Sequence, residues 1–571
     1  MLDNKIQNKR IKIIMVTVSI VGLIVIVKLF SLQVLNYKKY REKAERQYIT
    51  PVGSIFDRGN IFFTSKDGTT IAAATVVEGY KLAIVPSQIK DIEYTFNEII
   101  NIIPNLKKES FLIQTNKKND PYEEVVDRLN EDQSKKINNL KLPGVSLYKQ
   151  KWRFYPGGSL AAKTIGFVSY KKDQLIGNYG LEEYYNDVLS RENNSLYVNF
   201  FAEIFANVKS TIFKNTSNPG NLITSIEPTV QSHIENILLD TLERWSSDSV
   251  GAIVMDPYTG EIIAMSSVPN FDLNSYSKVK DFGIFTNPFV QNVYEMGSIV
   301  KPLVMASAID VGAVTENTTY TDTGSVEIGG KIVSNFDKKG RGNINMQTVL
   351  SQSLNTGMVF VQQKMGKDNF KEYMLNRYRI GEKTGVDLPG EVNGLVSNLK
   401  NKNDVNYATA SFGQGIATTP LNIVRSFASL ANGGFLITPH VVSSIIEEGG
   451  SERALIYPKS ENPILKQETL SNIKTMLVNA VDDGYKRGLK DYTVAAKTGT
   501  AQIAKPDGSG YYTDRNLHSL IGFFPANKPR FVIYFFNVYP KNALFAVQTL
   551  ADPFFGMVQF LGNYYSIIPD R

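Results

Sequence analysis

The sequence predicts an α+β protein of more than one domain that is held to a membrane by a single N-terminal helix. Three observations lead to this prediction. The chain has 571 residues, of which 43% are hydrophobic, and a single core rarely grows beyond about 250–300 residues. A long apolar run lies near the N-terminus. A polar cluster at residues 214–221, rich in Pro, Gly, Ser and Asn, separates two parts of different texture, as domain linkers often do.

The apolar run extends from Ile13 to Val34 and contains one charged residue, Lys28. At 1.5 Å per residue it gives about 33 Å of helix, enough to cross a hydrocarbon core of about 30 Å. No small-residue cleavage site follows, so we expect a retained anchor rather than a cleaved signal peptide. Basic residues flank both ends almost equally, so charge alone does not set the orientation. No later segment is as long and apolar, and we expect the rest of the chain to lie on one side.

Composition excludes several kinds of site. The chain has no cysteine, which excludes disulfides, thiolate nucleophiles and cysteine-type zinc sites. Its three histidines are scattered without metal-ligand spacing and argue against a histidine-based triad. The 62 Lys and Arg and the 55 Asp and Glu give a formal charge of +7, but they are interspersed. This pattern is typical of a solvated surface and not of a nucleic-acid-binding protein.

Local sequence patterns predict the secondary structure of the chain after the apolar run. Residues 45–90 read as short strands with turns, and the stretches "FNEIINII" (96–103) and "EEVVDRLN" (123–130) predict helices. Strands and turns return from 152 to about 215. Beyond the break, residues 229–245 form an amphipathic helical pattern, and 250–267 predict two strands around a turn.

One short stretch, "YEMGSIVKPL" (294–303), points to chemistry. If a helix begins near Ser298, the side chains of Ser298 and Lys301 lie on one face, one turn apart. Pro302 is close enough to that start to be tolerated. A desolvated lysine with a lowered pKa can remove the proton from a serine hydroxyl where histidine is absent. Ser-x-x-Lys alone is weak evidence, since "SLYK" at 146–149 has the same spacing.

Two further motifs follow Ser298 and Lys301 along the chain and strengthen the evidence for a reactive serine. "SQSLNTG" carries Ser353 and Asn355, and "VAAKTGTAQ" carries the run Lys497–Thr500 on a predicted strand, with "HSLIGFFP" and "FVIYFFNV" as two more strands. Each motif taken alone also has a purely structural explanation. Ser353 and Asn355 are compatible with a helix-end cap, Lys497 with a solvated strand residue, and the glycine with a bulge. The three together, in this order, resemble the penicillin-recognising acyl-serine transferases.

Further stretches narrow the resemblance to the membrane-anchored class B penicillin-binding proteins, the monofunctional peptidoglycan D,D-transpeptidases. They are 153–168, 177–186, 251–272, 385–391 and 411–421. The chain departs from the family pattern at Met296, where proline is often found, at Val52, at "DRGN" (57–60) and at Ala496. None of these departures removes a reacting group, but they leave the local geometry of the N-terminal region open.

The resemblance implies a domain plan: a cytoplasmic tail at 1–12, a transmembrane signal anchor at 13–34, a β-rich elongated pedestal (dimerisation-type) domain with a small helical head at 45–215, and a penicillin-binding transpeptidase domain at 222–565. The last domain is expected to have a central antiparallel sheet flanked by helices. The resemblance, and not the charge count, places it on the extracytoplasmic side of a bacterial cell membrane.

The resemblance also implies a mechanism without metal or organic cofactor. Ser298, deprotonated by Lys301, would attack the D-alanyl-D-alanine carbonyl of a stem peptide, and the acyl-enzyme would pass to the amine of a second stem peptide. Ser353 would relay a proton to the leaving amine. The backbone N–H groups of Ser298 and Thr500 would bind the oxyanion.

Substrate binding is implied by the same resemblance. The hydroxyl groups of Thr498 and Thr500, with Lys497, would receive the terminal carboxylate, and Asn355 would bind the substrate backbone. The residues predicted to be catalytic are Ser298, Lys301, Ser353, Asn355 and Lys497, and those predicted to bind substrate are Thr498, Gly499 and Thr500.

Three functions stay open. The first is a cross-linking transpeptidase, with a division role favoured over elongation because Ser-Leu-Asn is followed by "TGMVFV". The second is a D,D-carboxypeptidase or β-lactamase, and the third is a non-catalytic penicillin-binding sensor. The expected partners are stem peptides, β-lactams, a membrane-embedded glycan polymerase and division-complex proteins, with no nucleic acid.

Overall fold

A computed structural model describes residues 57–171, 174–191, 219–401, 403–484, 489–505, 508 and 510–571. Of the residues before 57 it describes Met15, Ile20, Gly22, Leu23 and Lys28. The predicted tail at 1–12 and most of the predicted anchor at 13–34 therefore lie outside the described residues. Within the described part of the chain, no helix is both long and apolar enough to cross a membrane.

The strands, numbered in chain order, are β1 (Ile61–Thr64), β2 (Thr70–Ile84), β3 (Glu123–Leu129), β4 (Val145–Phe154), β5 (Phe167–Lys171), β6 (Gln174–Asn178), β7 (Gly220–Thr224), β8 (Ser249–Met255), β9 (Ile262–Val268), β10 (Thr319–Asp322), β11 (Ser325–Ile328), β12 (Lys331–Ser334), β13 (Gly342–Asn345), β14 (Val442–Glu447), β15 (Glu452–Ala454), β16 (Ala495–Ala504), β17 (Tyr511–Phe524) and β18 (Phe531–Val538).

The α-helices are α1 (Ile92–Ile100), α2 (Lys108–Thr115), α3 (Glu131–Asn139), α4 (Ala162–Ile165), α5 (Gly180–Tyr184), α6 (Asn186–Leu189), α7 (Pro228–Trp245), α8 (Pro288–Gln291), α9 (Lys301–Asp310), α10 (Met346–Ser351), α11 (Asn355–Met365), α12 (Lys367–Lys371), α13 (Asp404–Ala410), α14 (Pro420–Ala428), α15 (Gln467–Gly484) and α16 (Ala546–Tyr564). Short 3₁₀ turns include Gly297–Val300, directly before α9.

Contacts divide the chain into two compact units. Among the described residues, the first unit comprises the five before residue 57, together with Asp57 and Val76–Trp152. The second comprises Arg58–Thr75, Arg153–Arg191 and the described residues from 219 to 571. All eight predicted site residues belong to the second unit. The predicted domain limits at 45–215 and 222–565 remain predictions.

The first unit confirms one predicted helix and corrects another. Helix α1 covers most of "FNEIINII". The helix predicted over 123–130 is wrong: this stretch is β3, which pairs antiparallel with β2, with Leu82 opposite Val126. Adjacent β-branched valines favour a strand where a partner strand is available. The next helix begins at Glu131, because Asn130 and Gln133 form a capping box.

The second unit contains a buried ion cluster. Glu182 is fully buried, and its two carboxylate oxygens accept hydrogen bonds from Arg58 Nε and Arg153 Nε, each at 2.6 Å. The cluster joins two of the stretches that carry the family resemblance, 153–168 and 177–186, to the departing stretch "DRGN" (57–60). The order Gly59–Asn60 also has a structural reason, since a Cβ at residue 59 would lie 1.9 Å from Gly220 O.

The core of the second unit is a five-stranded antiparallel sheet in the order β16-β17-β18-β8-β9, as the resemblance predicts. One face packs against α7 and α16 through a buried apolar cluster. The other face packs against a larger cluster that includes α9 and α14. The sheet places β16 at its edge, next to the 3₁₀ turn that carries Ser298.

Candidate active site

Ser298 lies in the 3₁₀ turn that leads into α9, close to the helix start predicted from the sequence. It is half-buried and lines a cleft of about 390 Å³. Gly297 has φ +58°, and a Cβ there would approach Ala501 Cβ to 3.1 Å. A glycine is therefore favoured at this position by both backbone conformation and packing.

Lys301 is the first residue of α9 and is fully buried. Its Nζ donates hydrogen bonds to Ser353 O at 2.5 Å, Asn355 Oδ1 at 2.8 Å and Ser353 Oγ at 3.2 Å. Burial, and after it the positive charge of Lys497, hold the pKa of Lys301 well below its ordinary value. A lowered pKa increases the fraction of neutral amine, which is the form that can accept a proton.

The Ser353–Asn355 segment joins α10 to α11 and lies directly against Lys301. Ser353 has φ +57°, a conformation that costs a residue with a side chain about 1–3 kcal/mol and is most frequent at functional sites. This backbone directs both its carbonyl and its hydroxyl oxygen to Lys301. Asn355 Nδ2 donates to Ser334 O at 3.0 Å, so this amide also fixes the end of β12.

A buried polar cluster supports this segment from behind. Thr356 Oγ1 is hydrogen-bonded to Asp322 Oδ1 at 2.8 Å and to Asn335 Oδ1 at 2.9 Å, and Asn335 Nδ2 donates to both Asp322 oxygens. Asp322 also accepts from the backbone N–H groups of Gly324 and Arg341. Because every one of these groups is partnered, the cluster holds the start of α11 in one position.

Successive side chains of strand β16 lie on opposite faces of the strand. Thr498 and Thr500 are half-buried and line the cleft, whereas Lys497 and Gly499 are buried on the opposite face. A Cβ at residue 499 would lie 2.9 Å from Met296 O, so glycine allows the strand to approach the Ser298 turn closely.

Lys497 is 4% exposed, and its Nζ donates to Thr498 O at 3.1 Å. Burial lowers its pKa to about 7. The structure therefore buries this lysine on the same strand face as Gly499, the face toward the Ser298 turn, and its charge acts on Lys301. Thr500 Oγ1 accepts the N–H of Ala546 at 3.0 Å, which leaves its own proton available to a ligand.

Seven cleft-lining residues were not assigned to the site from the sequence: Gly297, Phe336, Phe412, Gln414, Phe545, Ala546 and Val547. Phe336 and Phe545 are 61% and 44% exposed, and their rings pack edge to face with centroids 5.8 Å apart. Large exposed aromatic residues often mark a binding surface. Exposure is a tertiary property, so no local pattern in the sequence marks this pair.

The second Ser-x-x-Lys match, "SLYK" at 146–149, has an ordinary structural role. Ser146 and Lys149 lie on strand β4, and Lys149 Nζ forms a salt bridge of 2.8 Å with Glu78. On a strand, residues three apart point to opposite faces, so this serine and lysine cannot act together.

Comparison with known proteins agrees with this geometry. The model of the penicillin-binding protein transpeptidase domain matches residues 250–556, more than half of the chain, and that of the penicillin-binding protein dimerisation domain matches 55–225. The chain belongs to the penicillin-binding protein transpeptidase family. The resemblance inferred from its motifs is therefore confirmed.

Several relatives of this penicillin-binding protein have names that state a role. Stage V sporulation protein D of Bacillus subtilis is 28% identical over 98% of this chain and 86% of its own length. Penicillin-binding protein PbpB of Mycolicibacterium smegmatis is 26% identical over 90% of this chain and 84% of its own. Peptidoglycan D,D-transpeptidase FtsI of Escherichia coli K12 is 27% identical over 76% of this chain and 70% of its own.

Solved structures show the same fold. Penicillin binding protein 2X from Streptococcus thermophilus matches with a TM-score of 0.70 and 22% identity, over 90% of this chain and 80% of that one. Penicillin binding protein 3 from Mycobacterium tuberculosis, solved in complex with aztreonam, matches with a TM-score of 0.67 and 21% identity, over 90% of this chain and 98% of that one.

Proposed function

We propose that this protein is a peptidoglycan D,D-transpeptidase that works through an acyl-serine intermediate. The observation that carries the proposal is the position of Lys301, fully buried and bonded to Ser353 and Asn355 beside the cleft that Ser298 lines. Relatives named peptidoglycan D,D-transpeptidase support the same activity.

In the first half-reaction, neutral Lys301 takes the proton of Ser298, and the serine oxygen attacks the carbonyl carbon of the terminal D-alanyl-D-alanine bond. The C–N bond then breaks, and the terminal D-alanine leaves as an amine that receives its proton through Ser353. The Ser353 hydroxyl, 3.2 Å from Lys301 Nζ, is close enough to pass that proton from the lysine.

The developing oxyanion requires donors that are already in place. The backbone N–H of Ser298 lies in the first turn of a helical segment, where such groups have no intrahelical partner. Thr500 lies on the edge strand next to that turn, and its backbone N–H supplies the second donor.

In the second half-reaction, the amine of a neighbouring stem peptide attacks the acyl-serine and forms the cross-link. Water attacking the same ester would give a carboxypeptidase instead, so the identity of the acceptor distinguishes the two activities. In the donor peptide, the terminal carboxylate is bound by the hydroxyls of Thr498 and Thr500. Lys497 favours this anion through its charge, and Asn355 contacts the donor backbone.

The cellular setting is part of the proposal. The protein is anchored in the bacterial cell membrane by residues 13–34, with the catalytic domain outside, and cross-links the wall during division. Relatives named FtsI, and the Ser-Leu-Asn motif followed by "TGMVFV", support division over elongation. Its partners would be a membrane-embedded glycan polymerase and division-complex proteins, and β-lactams would acylate Ser298.

Purified protein, incubated with a fluorescent penicillin and separately with pentapeptide-bearing glycan strands, tests the activity. We expect a covalent adduct that Ser298→Ala abolishes, and cross-linked dimers from the glycan. Tetrapeptide without dimers would indicate a carboxypeptidase, and an adduct without any turnover of glycan would indicate a sensor. For the cellular role, septal localisation of a tagged protein is expected, and a lateral-wall distribution would contradict it.

A further inference from the structure

Glu295, three residues before Ser298, joins three segments of the site through one carboxylate. Gly415 N donates to its Oε1 at 3.0 Å. The hydroxyl of Tyr511 donates to the same carboxylate and lies 2.9 Å from each of its oxygens. Burial raises the pKa of Glu295, and these two donors oppose that shift.

Each joined segment carries part of the reaction site. Glu295 leads into the turn of Ser298, and Gly415 follows Gln414, which lines the cleft. Tyr511 is the first residue of β17 and pairs with Ala504 at the end of β16, the strand that carries Thr500. The carboxylate therefore connects the nucleophile turn to the far end of the edge strand.

Backbone contacts already hold two of the three segments together. Tyr294 and Thr418 exchange backbone hydrogen bonds of 3.0 Å in both directions, and Gly297 N donates to Gly413 O at 3.1 Å. The contact from Glu295 to Tyr511 is of another kind, since it joins side chains and reaches the β16–β17 pair. Loss of this contact should leave the first two segments together.

We propose that Glu295 and Tyr511 are positioning residues for acylation. Their contact sets the Ser298 turn against β16, so that the backbone N–H groups of Ser298 and Thr500 point at the same oxyanion. Neither side chain touches the reacting atoms. The inference rests on the proposed acyl-serine function, in which these two N–H groups act as a pair. A small misplacement of either donor lowers the rate of the chemical step more than it weakens binding.

The chain offers a matched control. Tyr512 is next to Tyr511 on the same strand and so points to the opposite face. Its ring packs against the guanidinium of Arg515, 4.4 Å from the ring centroid. Tyr511→Phe and Tyr512→Phe thus remove the same atom from adjacent residues, but only Tyr511→Phe removes a donor to Glu295.

The experiment measures acylation of the full chain by a fluorescent penicillin over a range of concentrations and separates the binding constant Ks from the acylation rate k2. We expect Tyr511→Phe to lower k2 by about tenfold with Ks within about twofold, a loss typical of a hydrogen bond to a charged group. Tyr512→Phe should match the parent. Glu295→Gln should lower k2 as well, and adding it to Tyr511→Phe should have little further effect.

Three outcomes would overturn the proposal. One is a k2 for Tyr511→Phe equal to that of Tyr512→Phe. Another is a purely structural effect, in which fewer molecules label and the melting temperature falls, but the labelled fraction reacts at the parent k2. The third is a parent protein that does not label, which would overturn the acyl-serine function itself and is distinguished from the other two by the parent measurement alone.

Discussion

Lys497 opposes the charge on Lys301: burial first, and this neighbouring positive charge second, lower the pKa of Lys301. Both lysines are buried. Lys497 lies on an edge strand and Lys301 lies on a helix, and the two residues are 196 positions apart in the sequence. This relationship leads to predictions on pH dependence and on stability.

The rate of acylation should rise with pH as Lys301 loses its proton, because the neutral amine is the proposed base. Lys497→Met removes the neighbouring charge, so the pKa of Lys301 should rise and the acid side of the pH–rate profile should move to higher pH. Stopped-flow acylation by a penicillin between pH 5.5 and 9 measures this shift. A profile that stays in place would show that Lys497 does not act on the base.

The same variant should be slower at pH 6, where Lys497, whose pKa burial lowers to about 7, is largely charged. A substrate carboxylate that loses a charged partner binds more weakly by about 1.5–3 kcal/mol, and we expect acylation by carboxylate-bearing ligands to slow accordingly. The matched measurement uses a ligand in which that carboxylate is esterified. For this ligand, the substitution should reduce the acylation rate less. Equal losses for both ligands would mean that the threonines bind the carboxylate without help from Lys497.

Lys497→Met should also be more stable than the parent near neutral pH. Burial lowers the folded-state pKa to about 7, below the ordinary value of about 10.4. The unfolded chain therefore binds more protons between these values, and parent stability should rise with pH across this window. The gain in melting temperature from Lys497→Met should be largest at pH 7 and below and should shrink toward pH 10. A gain that does not vary with pH would contradict this account.

Lys301→Arg tests the base directly. Arginine keeps a positive charge but does not give up its proton near neutral pH. We expect a folded variant that acylates slower by a factor of about 10²–10⁴, the usual contribution of a positioned base. Its melting temperature should fall, because a larger, permanently charged side chain replaces a fully buried lysine. Raising the pH should not restore the rate. Acylation near the parent rate would assign the base to another residue.

Asp322→Ala should destabilise the protein by about 3 kcal/mol, because several buried donors lose their acceptor together. It should also lower k2, since the start of α11 carries Asn355. The control is Asp337→Ala, which removes a more exposed carboxylate paired with Arg341 and should change stability little. Urea denaturation measures both, and equal effects would argue against a special role for the buried cluster.

The predicted anchor can be tested by removal. A variant lacking residues 1–36 should be soluble and should still form the penicillin adduct, because all predicted site residues belong to the second unit. Circular dichroism provides the control for folding. A folded variant that fails to label would show that the membrane segment shapes the site.

The sequence alone identified the family and predicted much of the central fold. The motifs around Ser298, Ser353 and Lys497 are short, and the reacting groups are defined by residue type and spacing, so they can be recognised without coordinates. The strands around the "KTGT" motif and the amphipathic α7 were also predictable, because their apolar periodicity is local.

Tertiary structure decided the features that depend on packing between distant segments. It made β3 a strand, since β2 was available as a partner, and it buried Lys497 where its charge acts on Lys301. It also brought Tyr511 to Glu295, 216 positions away, and paired the exposed rings of Phe336 and Phe545. Spacing along the chain cannot show such contacts, because burial and hydrogen bonding over long separations arise when the whole unit packs.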